Sequence, residues 1–239
     1  MRDVVSSLML ITRLPLGFLN VKCDDFRRSV IHFPLAGYFA FALWYAAFKL
    51  SERVFADNLI SACFGLILVY YFFNLFHFDG FLDSFDGLLS QKPRQEVLRI
   101  MKLGNIGPTA LFFGAVYLIL KVYLAVKLNI FLLLPVFVIA RWGMSYAACI
   151  SRPASDTGIG STISYGKPLF LACSTLYLIF LFFFQKALII ITMTGAVILL
   201  DFILVRAVEH RIGGLTGDNF GMINELNELL LMLTAFSLR

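Results

Sequence analysis

Three aspartates, Asp79, Asp83 and Asp86, stand in "HFDGFLDSFDGL" at residues 77 to 88, directly after a long apolar run. Their i, i+4, i+7 spacing places them within roughly 60° on one face of an α-helix. No Lys or Arg occurs between residues 54 and 91. Like charges so close repel, and near a membrane interior each costs on the order of a few kcal/mol unless compensated. The compensation is a distant cation, protons or a bound metal. Oxygen ligands without cysteine favour Mg²⁺ or a similar hard ion. The three aspartates are therefore candidates for catalysis and for holding metal, against the alternative of a solvated helix end. His77 either orients a ligand or carboxylate or is a polar anchor at the interface. Gly80 and Gly87 thin the helix beside the acids, which admits a bulky ligand or close helix packing.

A second acidic segment, "GGLTGDNFGMINELNELL", begins at residue 213. The glycines and Thr216 suit a tight turn into a helix, with Asp218 expected as its N-cap. Glu225 follows on the same face and Glu228 one turn later. Two acidic helices meeting on one side of a membrane can hold metal ions that stabilise attacking and leaving oxygens at phosphorus. The alternative is an interfacial helix with a solvated acidic edge. Glycine-rich turns at 101 to 110 and 155 to 162 add main-chain N–H groups suited to phosphate.

These residues must be positioned by membrane helices. The chain has 239 residues, 60% hydrophobic and only 15% charged, with a mean hydropathy of +0.85. Soluble domains carry about 25% charged residues. Six stretches approach the ~20 apolar residues needed to span a bilayer: 30 to 48, 59 to 77, 109 to 127, 130 to 150, 168 to 184 and 188 to 205. A shorter seventh covers about 222 to 237. The absence of period-2 alternation excludes a barrel. The expected fold is all-α, one transmembrane domain over residues 1 to 239 with six to seven helices. No cleaved signal peptide is read at the N-terminus, because Arg13 and Pro15 interrupt its apolar core.

If the first 29 residues are cytoplasmic and six helices span, fourteen basic residues lie inside, Lys22 and Arg239 among them, and four outside. That asymmetry puts both termini and the long connections 78 to 108, 151 to 167 and 206 to 221 on the cytoplasmic side. The net charge of +5 then needs no nucleic acid, because anionic headgroups account for it. Lys121, Arg141 and Asp201 fall inside spans and are expected to pair with one another or reach the interface. Cys23, Cys63, Cys149 and Cys173 show no metal or redox spacing.

The chain resembles the cobalamin synthase family, adenosylcobinamide-GDP ribazoletransferase, nearly end to end: "ITRLP" at 11 to 15, "FPLAG" at 33 to 37, "HFDGFLDSFDGL" at 77 to 88, "GIGS" at 158 to 161 and "GGLTGDNFGMINELNEL" at 213 to 229. The third and fifth are specific. The resemblance implies a Mg²⁺-dependent membrane transferase of the cytoplasmic membrane, with its site facing the cytoplasm. It would join adenosylcobinamide-GDP to α-ribazole or its 5′-phosphate and release GMP. The implied sets are Asp79, Asp83, Asp86 and His77 for catalysis, and the three aspartates with Asp218, Glu225 and Glu228 for metal. Substrate contacts are Gly80, Gly87, Lys102, Asn105, Gly107, Gly158, Gly160, Gly217 and Asn224. A homo-oligomer is compatible with it. Leu103-Gly104-Asn105 stands where the family usually has an Asp-Ser-Arg-like triplet, and Ser155 where an Arg is expected. One acidic and two basic groups are thereby missing.

A CDP-alcohol phosphotransferase is the alternative enzyme, because "DSFDG" matches the start of that family's motif, but its second aspartate pair is absent. A cation or proton transporter is the non-enzymatic alternative. The topology predicts that cysteines introduced into 89 to 108 stay unreactive to impermeant maleimide in intact cells and react once the membrane is opened. Labelling from outside would reverse the orientation.

Overall fold

A computed structural model describes residues 2–19, 23–156 and 158–238. Lys22 and Arg239 lie outside the described residues. The described chain is helical, and its one β-bridge joins Pro153 to Leu215. A short helix, α1 (Arg2–Ile11), and a 3₁₀ segment, Cys23–His32, precede α2 (Phe33–Phe55). Next come α3 (Asn58–Val69), a π-helical turn at Tyr70–Asn74 and α4 (Leu75–Leu88), which run on as one helix of 31 residues. The rest comprises α5 (Arg94–Met101), α6 (Pro108–Lys127), α7 (Leu133–Ile150), α8 (Pro168–Ile179), α9 (Ala187–Ile212) and α10 (Gly217–Ser237).

Among the described residues five helices are long and apolar enough to cross a membrane, against the six to seven expected. The stretch at 168 to 184 breaks into α8 and the 3₁₀ turn Phe180–Phe183, too short to count with the others. A second difference concerns residues 78 to 88, expected within a polar connection. At about 1.5 Å per residue the α3–α4 helix is about 46 Å long, against a hydrocarbon core of about 30 Å, so its last turns carry the aspartates to the edge of the apolar layer. α10 packs against α4, α6, α7 and α9 with residues buried on every side, so the two acidic helices meet and the alternative of an interfacial helix falls away.

Together α7 and α10 form the interior. α7 is apolar all round and almost wholly buried, as a helix at the centre of a bundle must be. The outer helices show lipid their large apolar residues, among them Phe112 and Ile119 of α6 and Leu199 and Ile203 of α9.

Four charges are sealed inside. Glu225 and Glu228 of α10 face Lys121 of α6 and Arg141 of α7, all at most 1% exposed. Lys121 Nζ donates to Glu228 Oε2 at 2.5 Å and to Glu225 Oε2 at 3.2 Å, and Arg141 Nη1 donates to Glu228 Oε1 at 3.1 Å. The charges balance, two against two. Hydroxyl groups of Tyr70 (2.8 Å) and Tyr117 (2.5 Å) donate to Glu225, and Asn74 Nδ2 bonds both carboxylates. Tyr70 and Asn74 are the two ends of the π-turn, whose wider coil aims both at α10. The turn also frees the Phe72 carbonyl, which accepts the Arg13 N–H at 2.7 Å. Lys121 and Arg141 thus pair with α10, not with Asp201, which accepts from Asn227 Nδ2 at 2.9 Å.

Removing one partner of such a buried network leaves an uncompensated charge. Lys121→Met is expected to destabilise the protein by about 3–5 kcal/mol. Lys121→Met/Glu225→Gln, which restores neutrality, should recover much of that in detergent unfolding.

Candidate functional site

The chain reverses into α10 through residues each suited to their place. Gly213, at φ 87°, ends α9 in a left-handed conformation. A Cβ on Gly214 would lie 2.6 Å from the Arg152 and Pro153 carbonyl oxygens, and this close approach lets the Leu215 N–H donate to the Arg152 carbonyl at 2.8 Å and the Ala154 N–H to the Leu215 carbonyl at 2.9 Å across the two loops. Thr216, not Asp218, is the N-cap. Its Oγ1 accepts from the Asn219 N–H while Asn219 Oδ1 accepts from the Thr216 N–H, a reciprocal cap. Asp218 stands two positions past the cap, where its Oδ2 accepts from the Thr216 hydroxyl at 3.5 Å.

Helices α4 and α10 cross at two glycines. A Cβ on Gly80 would stand 2.6 Å from the Asp218 main-chain oxygen, and one on Gly221 equally close to the His77 oxygen. Gly80 therefore serves helix packing and does not meet the cavity. Gly87 likewise receives Met101 of α5. Beside the crossing lies a cavity of about 780 Å³. Its wall combines polar residues, Asp79, Asp218, Lys102, Ser155 and Thr216, with apolar ones, among them Met9, Phe26, Phe33, Phe76 and Met144. Gly158, Gly160 and Gly217 also line it. Gly160 packs on Gly217, where a Cβ would come within 2.9 Å of the main-chain nitrogen. The Tyr165 hydroxyl donates to the Gly160 carbonyl at 2.8 Å, bracing the loop upon itself.

The cavity gathers His77, Asp79, Lys102, Gly158, Gly160, Gly217 and Asp218 from four separate stretches of sequence. Burial, reinforced by the charge of Asp79, pushes the Asp218 carboxyl above its ordinary value. Asp83, one turn below Asp79, is half-buried and off the cavity wall.

Other expected members sit elsewhere. Both oxygens of Asp86 are taken by α6, with the Gly107 N–H at 2.5 Å and the Ala110 N–H at 2.9 Å, so this aspartate is balanced by a helix N-terminus. Gly107 belongs to that contact, and Asn105 lies exposed in the turn before it. Glu225 stands two turns, about 10 Å, deeper than Asp218, and Glu225, Glu228 and Asn224 all belong to the sealed network. Sequence reasoning missed that network, although two cations and two acids on apolar helices form a balanced set. It also missed α1, whose Met9, Leu10 and Ile11 line the cavity.

For a divalent ion the wall offers Asp79 and Asp218. Among the described residues no ion pair involves either and no three metal-binding side chains cluster. Two carboxylates completed by substrate phosphates are a usual setting for Mg²⁺, so this donor set fits that ion.

The family model for cobalamin-5-phosphate synthase matches residues 3–236. The chain is 34% identical to the adenosylcobinamide-GDP ribazoletransferase of Thermosipho africanus over 92% of each chain. It is 32% identical to that of Desulfitobacterium hafniense over its whole length and 98% of the relative. No solved structure matches.

Gly80→Val is expected to cost about 1–3 kcal/mol by forcing α4 off α10. Gly195→Ala in α9, where an added Cβ meets nothing within 4 Å, should leave the melting temperature unchanged or slightly raised. Equal effects of the two would remove the crossing as a constraint.

Proposed function

The chain belongs to the cobalamin-5-phosphate synthase family, and we propose that it joins adenosylcobinamide-GDP to α-ribazole or its 5′-phosphate with release of GMP. The observation that carries this reading is the mixed wall of the cavity, which holds acids, glycines and a lysine together with aromatic and thioether side chains. A reaction between a nucleotide-bearing corrinoid and a nucleoside with an apolar base needs both. In this transfer an oxygen of the ribazole partner bonds to the phosphorus that carries the corrinoid, the bond from that phosphorus to GMP breaks, and a hydroxyl nucleophile gives up its proton.

Lys102 is placed to neutralise phosphate oxygens, and the main chain around Gly158 and Gly160 lets phosphate approach closely. Asp79 and Asp218 would hold Mg²⁺, which supplies charge neutralisation at the pyrophosphate and leaving group. The network beneath fixes α10 so that Asp218 meets Asp79. In-line geometry between two bound substrates contributes through positioning. The distribution of basic residues supports a site facing the cytoplasm from the cytoplasmic membrane.

The test incubates the detergent-purified chain with adenosylcobinamide-GDP, α-ribazole and Mg²⁺. GMP release and cobalamin formation are expected in equal amounts. Asp79→Asn and Asp218→Asn should each lower the rate about a hundredfold or more and shrink the rise in melting temperature that Mg²⁺ produces. Asp86→Asn, away from the cavity wall, should keep that Mg²⁺ response while losing about 1 kcal/mol of stability through the weakened end of α6. A wild type that releases no GMP rejects the reading.

A further inference from the structure

Asn219, the third residue of α10, does more than its place in the helix cap requires. It is wholly buried, and so is Ser84 of α4. The orientation of its amide follows from chemistry: the Thr216 N–H, which can only donate, lies 2.9 Å from one end, so that end is Oδ1 and the other is Nδ2. Oδ1 also lies 3.1 Å from the Thr216 hydroxyl, and Nδ2 donates to Ser84 Oγ at 3.0 Å. Among the described residues this last contact is the only side-chain hydrogen bond between α4 and α10. It sits one turn along α4 from Gly80, which is pressed on the Asp218 main chain. One amide thus ties the first turn of α10 to the helix that carries Asp79.

The same amide bears on the carboxylate of Asp218. The Thr216 hydroxyl has one proton and two acceptors within reach, Asn219 Oδ1 at 3.1 Å and Asp218 Oδ2 at 3.5 Å. A hydrogen bond to Asp218 Oδ2 occupies a lone pair that a cation would need. Asn219 Oδ1 gives the hydroxyl another acceptor, so Asp218 can turn this oxygen to a cation without leaving a donor unsatisfied. We propose that Asn219 is a positioning residue for the Asp79 and Asp218 pair. Through Ser84 it sets where Asp218 stands against α4, and through Thr216 it frees Asp218 for the divalent ion. The inference rests on the reading of these two aspartates as Mg²⁺ ligands given above. Removing a group that orients a liganding carboxylate costs roughly 10–100-fold in metal affinity.

The test titrates the full chain in detergent with Mg²⁺, reading the melting temperature without substrate and, separately, the transfer rate. Asn219→Leu nearly keeps the volume and removes every side-chain hydrogen bond. The Mg²⁺ concentration that gives half the rise in melting temperature should increase about tenfold or more. The KM for Mg²⁺ should increase alongside it, while kcat at saturating Mg²⁺ falls by a smaller factor. Ser84→Ala, which keeps the cap, should move the same midpoint by less. Asn227→Leu, also buried in α10 but bonded to Asp201, should lower the melting temperature at every Mg²⁺ concentration and leave the midpoint in place.

An unmoved midpoint in Asn219→Leu, when the wild type releases GMP, makes Asn219 a helix cap alone; it overturns the inference and leaves the transferase reading standing. Equal midpoint shifts in Asn219→Leu and Asn227→Leu overturn it as well, because they report a loosening of α10 as a whole. A wild type whose melting temperature ignores Mg²⁺ also overturns it, and GMP release then decides the transferase reading separately. A midpoint that moves in Asn219→Leu alone, when the wild type releases no GMP, supports the positioning role and rejects the reaction. If Asn219→Leu fails to fold, Ser84→Ala decides, and a midpoint equal to that of the wild type overturns the inference.

Discussion

Two carboxylates on α10 sit where neither water nor headgroups reach, and the bundle is arranged around their neutralisation. Glu225 and Glu228 draw Lys121 from α6 and Arg141 from α7, and the four side chains share tyrosine and asparagine donors from the α3–α4 helix. A buried pair of this kind adds little net stability over an apolar core, but a slip of α10 by one residue would unpair it at high cost. The network therefore sets register more than strength. The π-turn at Tyr70–Asn74 belongs to the same constraint, because its coil turns both of its ends toward Glu225.

Once α10 is fixed, its first turn can meet α4 only if both backbones come close. Gly80 and Gly221 permit that approach. The doubled glycine before Thr216 brings the loop after α7 against the same turn. The cavity is what remains between these elements, roofed by the end of α1. Its wall mixes the aspartates of α4 and α10 with aromatic and thioether side chains brought in by other elements.

The three aspartates of α4 share a face but meet three different fates. Asp79 reaches the cavity, Asp83 stays half-buried beside it, and Asp86 caps the start of α6. The missing cation that their spacing demands is, for Asp86, a pair of main-chain N–H groups. Partial positive charge at a helix N-terminus has no signature in side-chain composition.

Composition and apolar runs determined the all-helical membrane class, because lipid leaves the backbone few ways to satisfy its hydrogen bonds. The motifs at 77 to 88 and 213 to 229 pointed to both acidic segments, since local spacing reports which residues share a helical face. Residues seven apart share that face while standing about 10 Å apart along the axis, so Asp218 and Glu225 read alike in sequence although one opens on the cavity and the other is sealed in the core. Depth, the partners of Lys121 and Arg141 and the cap of α6 by Asp86 were decided only in the tertiary structure. Each depends on which distant helix arrives opposite, and that is settled by matching buried charges and close glycine contacts across the whole bundle.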